Sequence, residues 1–288
     1  SLRYLSSPEV IGTQRIENIR RQRSSWAREV VADFRDGKAE SALKVLEQKD
    51  CLHYSNDREA TKANLVKKWH DYQKSHPHKE SLVIAHRWDD VKELSNAIRD
   101  IHISEGRVGR ENISLACSVA DKRFDTEFSK GDRIKFCRND YKSLGVSNGT
   151  LGTIESIRSL KNKDTELSIK VDDGRKVNFL ASDYADEKGT HLCLAYALTV
   201  YSSQGTTIDG NTFVYYTKGM DRANTYIAAS RHKGESHIFC NRHEIEECIP
   251  DSSRDISKLA QKREEMLVSM MTKDNLASLA VEKMMVEL

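Results

Sequence analysis

Apolar residues in the first third of the chain recur at the spacing of amphipathic helices. One such face precedes Gly37 and consists of four residues: Trp26, Val30, Val31 and Phe34. The same pattern predicts helices over three further ranges: 39–48, 59–72 and 89–102. A continuous apolar run, SLVIAH at 81–86, instead indicates a buried strand. This part of the chain is therefore predicted to be mixed α/β.

The pattern becomes alternating between Gly131 and Phe179. Short apolar runs that suit strands are separated there by Gly, Asn and Asp turns: RIKF, LGTIESI, ELSIKV and RKVNF. Asp172-Asp173-Gly174 is a tight hairpin signal. Several short strands within one such stretch are typical of a small barrel.

After this stretch the pattern again predicts strands that are separated by a helix. Residues 195–200 and the run TFVYY after Asn211 indicate strands, 221–230 has helical length, and SHIFC at 236–240 indicates another strand. Strand, helix, strand is the unit of a parallel sheet. Ligands of open parallel sheets bind at the carboxyl ends of strands, where the turn at 201–205 would lie. Arg231 follows the helix and could present a permanently charged fork to a phosphate.

Two of these segments carry a family resemblance. YALTVYSSQGTTID at 196–209 resembles helicase motif V, and YIAASRHK at 226–233 resembles motif VI. The resemblance is to the superfamily-one DNA helicases, in the RecD-like branch that includes TraA-type conjugative relaxase-helicases. Three more segments are similar to that branch in the right order: 16–29 (motif IV region), 81–99 (motif IVa) and 130–157 (an SH3-like insertion).

The resemblance implies a role for particular residues. Arg21 and Arg231 would contact the γ-phosphate of ATP, and Gln204 would link the nucleotide cleft to the DNA surface as a third catalytic residue. Gln22 and Gly205 would lie on the ATP side. The expected contacts with single-stranded DNA are Thr199, Ser202, Ser203, Arg138, Asn139 and Tyr141. Tyr201 and Ser202 stand where many relatives have His and Lys, Ser230 replaces Thr, and Ser95 replaces Asn.

The chain contains no Gly-rich G-x-x-x-x-G-K-[ST] loop, which this class needs to hold the nucleotide phosphates and Mg²⁺. ATP and Mg²⁺ are therefore expected as cofactors only together with a first RecA-like lobe. The first residue is Ser, and the resemblance begins in mid-domain, so we expect a fragment or truncated product. Such a chain would be part of a 5′ to 3′ DNA helicase and inactive alone.

The predicted fold is a second RecA-like helicase domain with an inserted SH3-like β-barrel and a helical C-terminal tail. Its expected divisions are 1–125 for motifs IV and IVa, 126–188 for the barrel, 189–248 for motifs V and VI, and 249–288 for the tail. The tail includes LASLAVEKMMVEL, whose methionines could pack on the domain or bind a partner helix.

Composition adds little to this picture. In 288 residues, 46 Lys and Arg against 44 Asp and Glu give a net charge of +2, so bulk charge does not indicate nucleic acid. The six cysteines and ten histidines show no metal-ligand spacing, so we expect reduced cysteines and no metal. No apolar run of ~20 residues or signal peptide occurs, which predicts a cytoplasmic chain without a membrane partner.

The expected partners are single-stranded DNA and, in cis or in trans, an N-terminal helicase lobe and a relaxase domain. Two other hypotheses stay open. The chain could belong to a RecD-like recombination or repair helicase, which shares these motifs. It could also be a non-catalytic remnant that binds DNA and hydrolyses nothing.

Overall fold

The structure is a computed structural model that describes residues 19–250 and 256–274. The helices in these ranges are Ser25–Arg35 (α1), Ala39–Gln48 (α2), Arg58–Ser75 (α3), Trp88–Ser104 (α4), Arg222–Ala229 (α5), Arg242–Glu246 (α6) and Leu259–Thr272 (α7). The strands of the first half are Leu52–Ser55 (β1), Glu80–Ala85 (β2), Ile113–Val119 (β3), Lys122–Phe128 (β4) and Arg133–Phe136 (β5).

The remaining strands are Leu151–Ser159 (β6), Thr165–Val171 (β7), Lys176–Leu180 (β8), Ala185–Asp186 (β9), Gly189–Thr190 (β10), Leu192–Leu194 (β11), Ala197–Thr199 (β12), Gly210–Tyr216 (β13) and Ser236–Asn241 (β14). The chain divides into two compact units. Among the described residues, the first contains 19–61, 78–81, 205–250 and 256–274, and the second contains 62–77 and 82–204.

The first unit is built on three parallel strands in the order β1, β14, β13. Leu52 pairs with Ile238, and Thr212 pairs with Ser236. Helix α5 connects β13 to β14, which confirms the predicted strand, helix, strand unit. Helix α1 packs on α2 and α5, and α7 packs on α2, α5 and α6. Aromatic side chains on β13 and β14, among them Phe213 and Phe239, fill the core.

The second unit contains a parallel pair, β2 with β12, in which Val83 pairs with Ala197. Helix α4 packs on β12. The hydroxyl of Ser95 on α4 accepts a hydrogen bond from the backbone N–H of Ala197 at 3.1 Å. Trp69 on α3 is buried, as its place among aliphatic residues predicts. The residue that replaces the family's Asn at 95 thus anchors the strand that leads into the 201–205 turn.

The rest of the second unit is two sheets. Five antiparallel strands lie in the order β11, β5, β6, β7, β8, and a second sheet has the order β4, β3, β10, β9. The hairpin predicted at Asp172-Asp173-Gly174 joins β7 to β8, and Gly174 has φ +90°, a conformation that favours glycine. The two sheets share a core that includes Phe128, Phe136 and Leu167.

The predicted domain limits and the closed SH3-like barrel stay predictions. The strands of these two sheets begin at Ile113 and continue to Leu194, beyond both predicted limits of the insertion. Residues 16–18 of the motif IV region and the methionine-rich stretch at 276–288 lie outside the described residues. Among the described helices, none combines the length and the apolar composition needed to cross a bilayer.

Candidate functional site

Two arginines of the first unit meet at one serine. Nη1 of Arg21 donates to the carbonyl oxygen of Ser230 at 2.6 Å, and Nη2 of Arg231 donates to the Ser230 hydroxyl at 2.7 Å. The sequence places them 210 positions apart, one before α1 and one after α5. The two γ-phosphate arginines of the prediction therefore lie beside each other.

Helix α5 positions Arg231 by ending one residue before Ser230. The helix is capped at its amino end by Asp221, whose side chain accepts a hydrogen bond from the N–H of Asn224. At the other end, the carbonyl of Ile227 accepts from the Ser230 hydroxyl at 3.1 Å and from Nε of Arg231 at 2.9 Å. Carbonyls in the last turn lack helical partners and attract cationic donors, so the Arg231 side chain folds back over the helix end.

Gln22 joins the segment before α1 to the loop after α5. Its Nε2 donates to the carbonyl of His232 at 2.9 Å, and the backbone N–H of Arg23 donates to the Lys233 carbonyl at 2.9 Å. The Gln22 side chain is buried, yet within the described part of the chain its Oε1 has no hydrogen-bond partner. An unsatisfied buried acceptor is costly, so this atom marks a place where a further donor fits.

The electrostatics of this cluster favour an anion. Arg231 is only 9% exposed, and burial, together with the positive charge of Arg21, lowers its pKa. Neither guanidinium forms an ion pair with a carboxylate among the described residues. Two adjacent cations without an acidic partner bind phosphate oxygens well, because the guanidinium fork matches them geometrically.

Gly205 and Gln204 lie in the turn after β12. Gly205 has φ +84°, and an added Cβ would meet no atom within 4 Å, so glycine is favoured here by backbone conformation rather than by space. Gln204 is exposed and belongs to the second unit, where its N–H donates to the carbonyl of Tyr201 at 3.2 Å. Its amide side chain is therefore open to a ligand.

A second cluster surrounds Ser202 in the second unit. Its hydroxyl accepts from Oγ1 of Thr199 at 2.9 Å and from Nζ of Lys135 at 3.1 Å. Its backbone N–H in turn donates to Thr199 Oγ1 at 3.0 Å. With both acceptor positions of the hydroxyl used, its own proton can be donated outward to a phosphate. The Lys135 ammonium also lies 5.9 Å from the centre of the Trp88 ring.

Ser203 does not share this surface. It is fully buried, and its hydroxyl donates to the carbonyl of Val200 at 2.7 Å. Its backbone N–H donates to the Thr199 carbonyl at 3.0 Å. Both polar groups thus hold the turn that presents Ser202. Tyr201 in the same turn is 81% exposed.

The other three expected DNA contacts lie on the exposed segment after β5. The side chain of Asn139 accepts from the N–H of Asn148 at 2.7 Å, and Nη1 of Arg138 lies 3.0 Å from Nε2 of His191. Tyr141 is 70% exposed. An exposed aromatic ring on the same segment as an exposed arginine is the composition of a surface on which bases stack.

Sequence reasoning missed Ser230, Lys135 and Trp88. The alternation in RIKF could have predicted the face of β5 on which Lys135 lies. Ile134 and Phe136 must share one side of the strand, so Lys135 must be on the other. Nothing in the sequence indicated that Lys135 reaches the hydroxyl of Ser202.

Comparison with known proteins shows that this chain is similar to helicase and conjugal transfer proteins. Residues 107–240 match the profile of the viral superfamily 1 RNA helicase core domain. Conjugal transfer protein TraA of Rhizobium radiobacter is 29% identical over 230 residues, and that of Agrobacterium fabrum (strain C58 / ATCC 33970) is 30% identical over 237 residues. This chain is related to the TraA proteins. Each match covers 80% of the chain and 19% of the relative, so the chain spans about a fifth of their length.

A third relative, a probable conjugal transfer protein TraA of Sinorhizobium fredii (strain NBRC 101917 / NGR234), is 27% identical over 230 residues. Among solved structures, two Pif1 helicase chains are similar over 86% of this chain. One is from a study of forked double-stranded DNA, with a TM-score of 0.48, 18% identity and 55% of that chain covered. The other is Bacteroides Pif1 bound to single-stranded DNA, with a TM-score of 0.47, 17% identity and 56% covered.

Proposed function

We propose that this chain supplies the second RecA-like part of an ATP-dependent DNA helicase in a TraA-like conjugative relaxase. The observation that carries the proposal is the meeting of Arg21 and Arg231 at Ser230. The relationship to TraA proteins supports the conjugative assignment over a RecD-like repair helicase. The γ-phosphate of ATP is the anion that these two guanidinium groups would hold.

The residues fit one end of a nucleotide but not the whole of it. Arg21 and Arg231 supply charge, and the unsatisfied Oε1 of Gln22 supplies an acceptor for a donor such as a water. No carboxylate pairs with either arginine among the described residues, so Mg²⁺ and the other phosphates need groups from a first lobe. ATP supplies the chemical energy when it is bound.

The chain's own contribution to hydrolysis is electrostatic. Arg231 is held by the Ile227 carbonyl and the Ser230 hydroxyl, so its charge needs little reorganisation as negative charge develops on the transferred phosphoryl oxygens. Gly205 would allow the phosphates to approach the backbone closely. Gln204 would couple the binding and hydrolysis of the nucleotide to the conformation of the turn in which it lies. An arginine in this role contributes about 10³-fold or more to kcat.

The Ser202 cluster is the proposed path of single-stranded DNA. Ser202 would donate its hydroxyl proton to a backbone phosphate, Thr199 would hold Ser202 through its own hydroxyl, and Lys135 would add a positive charge. Arg138, Asn139 and Tyr141 would contact the strand from the exposed segment after β5. We assign Ser203 the supporting role of holding the turn, since its side chain is buried.

The same proposal defines the partners. An N-terminal helicase lobe would supply the Gly-rich phosphate loop in cis or in trans, and a relaxase domain would supply DNA nicking, which we do not expect here. Translocation from 5′ to 3′ follows from the resemblance alone. The chain by itself is expected to bind single-stranded DNA without hydrolysing ATP.

Trans-complementation tests this function. The chain is assayed for ATP hydrolysis with an oligodeoxythymidine, alone and after mixing with a separately produced first lobe from a TraA relative. We expect hydrolysis only in the mixture, and an Arg231→Ala chain should not restore it. Arg158→Ala is a matched control, because that arginine is exposed on β6 and pairs with Glu166. Hydrolysis by the chain alone, or equal activity with Arg231→Ala, contradicts the proposal.

A further inference from the structure

A cluster of metal-ligand side chains lies in the first unit, at the amino ends of β1 and β14. Cys51, Glu235 and His237 each offer one ligand atom, and the three atoms lie within 4.8 Å of one another. Cys51 is buried, whereas Glu235 and His237 are half-buried and keep a route open to solvent. The cluster takes no part in the nucleotide or DNA sites proposed above.

The parallel register brings these residues together. Leu52 pairs with Ile238, so the preceding residues, Cys51 and His237, lie side by side where the two strands begin. The backbone N–H of Ile238 donates to the Cys51 carbonyl at 2.8 Å. Successive side chains of a strand alternate, so Glu235 and His237 share one face. Spacing rules could not reveal the cluster, because its two strands are remote in sequence.

Neighbouring groups fix the protonation of His237. Oδ1 of Asn211 accepts from the N–H of Glu235 at 2.9 Å, which leaves Nδ2 of Asn211 facing Nε2 of His237 at 3.4 Å. Because Nδ2 can only donate, Nε2 of His237 carries a lone pair and Nδ1 carries the proton. Nδ1 then donates to Nε2 of His53 at 3.2 Å. A metal that binds Nε2 would take the place of the Asn211 amide there, while Nδ1–H keeps His53 as its acceptor, as is usual for a metal-binding histidine.

The ring of His237 is also held from the sides. It lies edge to edge with the His53 ring, with ring centroids 5.5 Å apart, and stacks on Phe213, with centroids 5.3 Å apart. Nε2 of His237 lies 3.7 Å from Oε2 of Glu235. A Cβ added at Gly234 would lie 2.2 Å from Oδ1 of Asn211, so glycine there permits the close approach that orients the amide. The site is therefore built by several elements of the first unit.

We propose that Cys51, Glu235 and His237 bind Zn²⁺ or a chemically similar late first-row divalent cation. Thiolate, imidazole and carboxylate together suit this class of ion. Ligand atoms around tetrahedral zinc are roughly 3.3–3.8 Å apart, so small side-chain rotations would bring the three from their present separation to bonding distance. Binding releases the Cys51 thiol proton to solvent, and the ion would tie β1, the edge strand of the parallel set, to β14.

Cobalt substitution tests the site directly. The purified chain is stripped with a chelator and titrated with Co²⁺, which shows a thiolate charge-transfer absorption only when a cysteine is a ligand. We expect one equivalent to bind with this band, and Zn²⁺ to displace it. Cys51→Ser should abolish the band. Cys240→Ser, which removes a buried thiol of the opposite face of β14, should keep it.

Cys51 is buried, so Cys51→Ser could fail to fold, and a second variant at a less buried ligand keeps the test valid in that case. Glu235→Gln changes a half-buried side chain and should weaken Zn²⁺, measured by competition with a chromophoric chelator, about 10-fold or more while the far-UV circular dichroism stays unchanged. A parent chain that binds no Co²⁺ through thiolate overturns the proposal. So does unchanged binding in both variants, which would leave Glu235 and His237 as ordinary polar neighbours.

Discussion

Arg21 and Arg231 share Ser230 as an acceptor, one through its carbonyl and the other through its hydroxyl. A single residue therefore sets the separation of two cations that have no acidic partner among the described residues. Since like charges repel, the arrangement is more favourable with an anion between them. The proposed phosphate site thus depends on the side chain of Ser230, which stands where the related helicases have Thr.

Ser230→Ala removes one of the two acceptors of Arg231, the hydroxyl, and leaves both the Ile227 carbonyl and the Ser230 carbonyl that Arg21 uses. We expect kcat for ATP hydrolysis in a protein that includes the first lobe to fall about 10-fold, because one charge-assisted hydrogen bond that positions Arg231 is lost. Ser230→Thr keeps the hydroxyl and should stay within twofold of the parent. Steady-state ATPase assays measure both. Equal loss in the two variants would show that packing, not the hydrogen bond, matters at this position.

Lys135→Met should weaken binding of single-stranded DNA and make it less sensitive to salt. Removing one phosphate contact lowers the slope of log affinity against log salt by about 0.7. Fluorescence anisotropy with a labelled oligodeoxythymidine gives the slope over a series of salt concentrations. Lys176→Met is the matched control, because Lys176 lies on β8 of the same sheet and pairs with Glu155. An identical slope for Lys135→Met and the parent would remove Lys135 from the proposed DNA path.

His232 should make stability depend on pH. Burial lowers its pKa to about 4, from 6.5 in the unfolded chain, and its Nε2 lies 2.8 Å from the Ala229 carbonyl. Between these values the unfolded state binds more protons, so stability falls as pH drops from 6.5 toward 4, by about 3 kcal/mol in total. Urea unfolding of His232→Gln should show a shallower decline than the parent over this window. Parallel declines would contradict a neutral buried imidazole.

The pair of Arg99 and Asp132 should be essential to the second unit. Nε of Arg99 lies 2.9 Å from both carboxylate oxygens of Asp132, and the Tyr196 hydroxyl donates to Oδ1 at 2.8 Å. Asp132→Ala leaves a buried guanidinium without its counter-ion, which costs about 3–5 kcal/mol. Glu166→Ala, which removes an exposed partner of Arg158, should cost less than about 1 kcal/mol. Chemical denaturation compares the two, and similar losses would contradict this ranking.

The periodicity of apolar residues was enough to predict most of the helices and the strand, helix, strand unit of the parallel sheet. Helix α2 begins and ends at the predicted residues, and β13, α5 and β14 follow the predicted order. Strand β1 was missed because LHYS contains only one aliphatic residue and lacks clear alternation. Strand β4, KRFDTEF, was missed for a similar reason, since its side chains are mostly charged and exposed. Pairing with neighbouring strands, which the sequence pattern does not report, stabilises both.

The candidate sites were predictable only in part. Motif resemblance brought Arg21 and Arg231 together, but the shared Ser230 acceptor depends on the exact path of the chain after α5. Resemblance also grouped Ser203 with Ser202, and burial separates them. The expectation of no metal rested on local spacing. It could not foresee the cluster of Cys51, Glu235 and His237, because strand register, and not spacing, assembles it.

The central claim is that Arg21 and Arg231 act together on one phosphate. The most direct measurement is kcat for DNA-stimulated ATP hydrolysis, in a protein that includes the first lobe, for Arg21→Ala, Arg231→Ala and the double variant, with Arg158→Ala as control. We predict a fall of about 10³-fold in each single variant and a double variant little worse than either, because groups that act as a unit are not additive. Single variants that keep kcat within a fewfold of the parent would contradict the account.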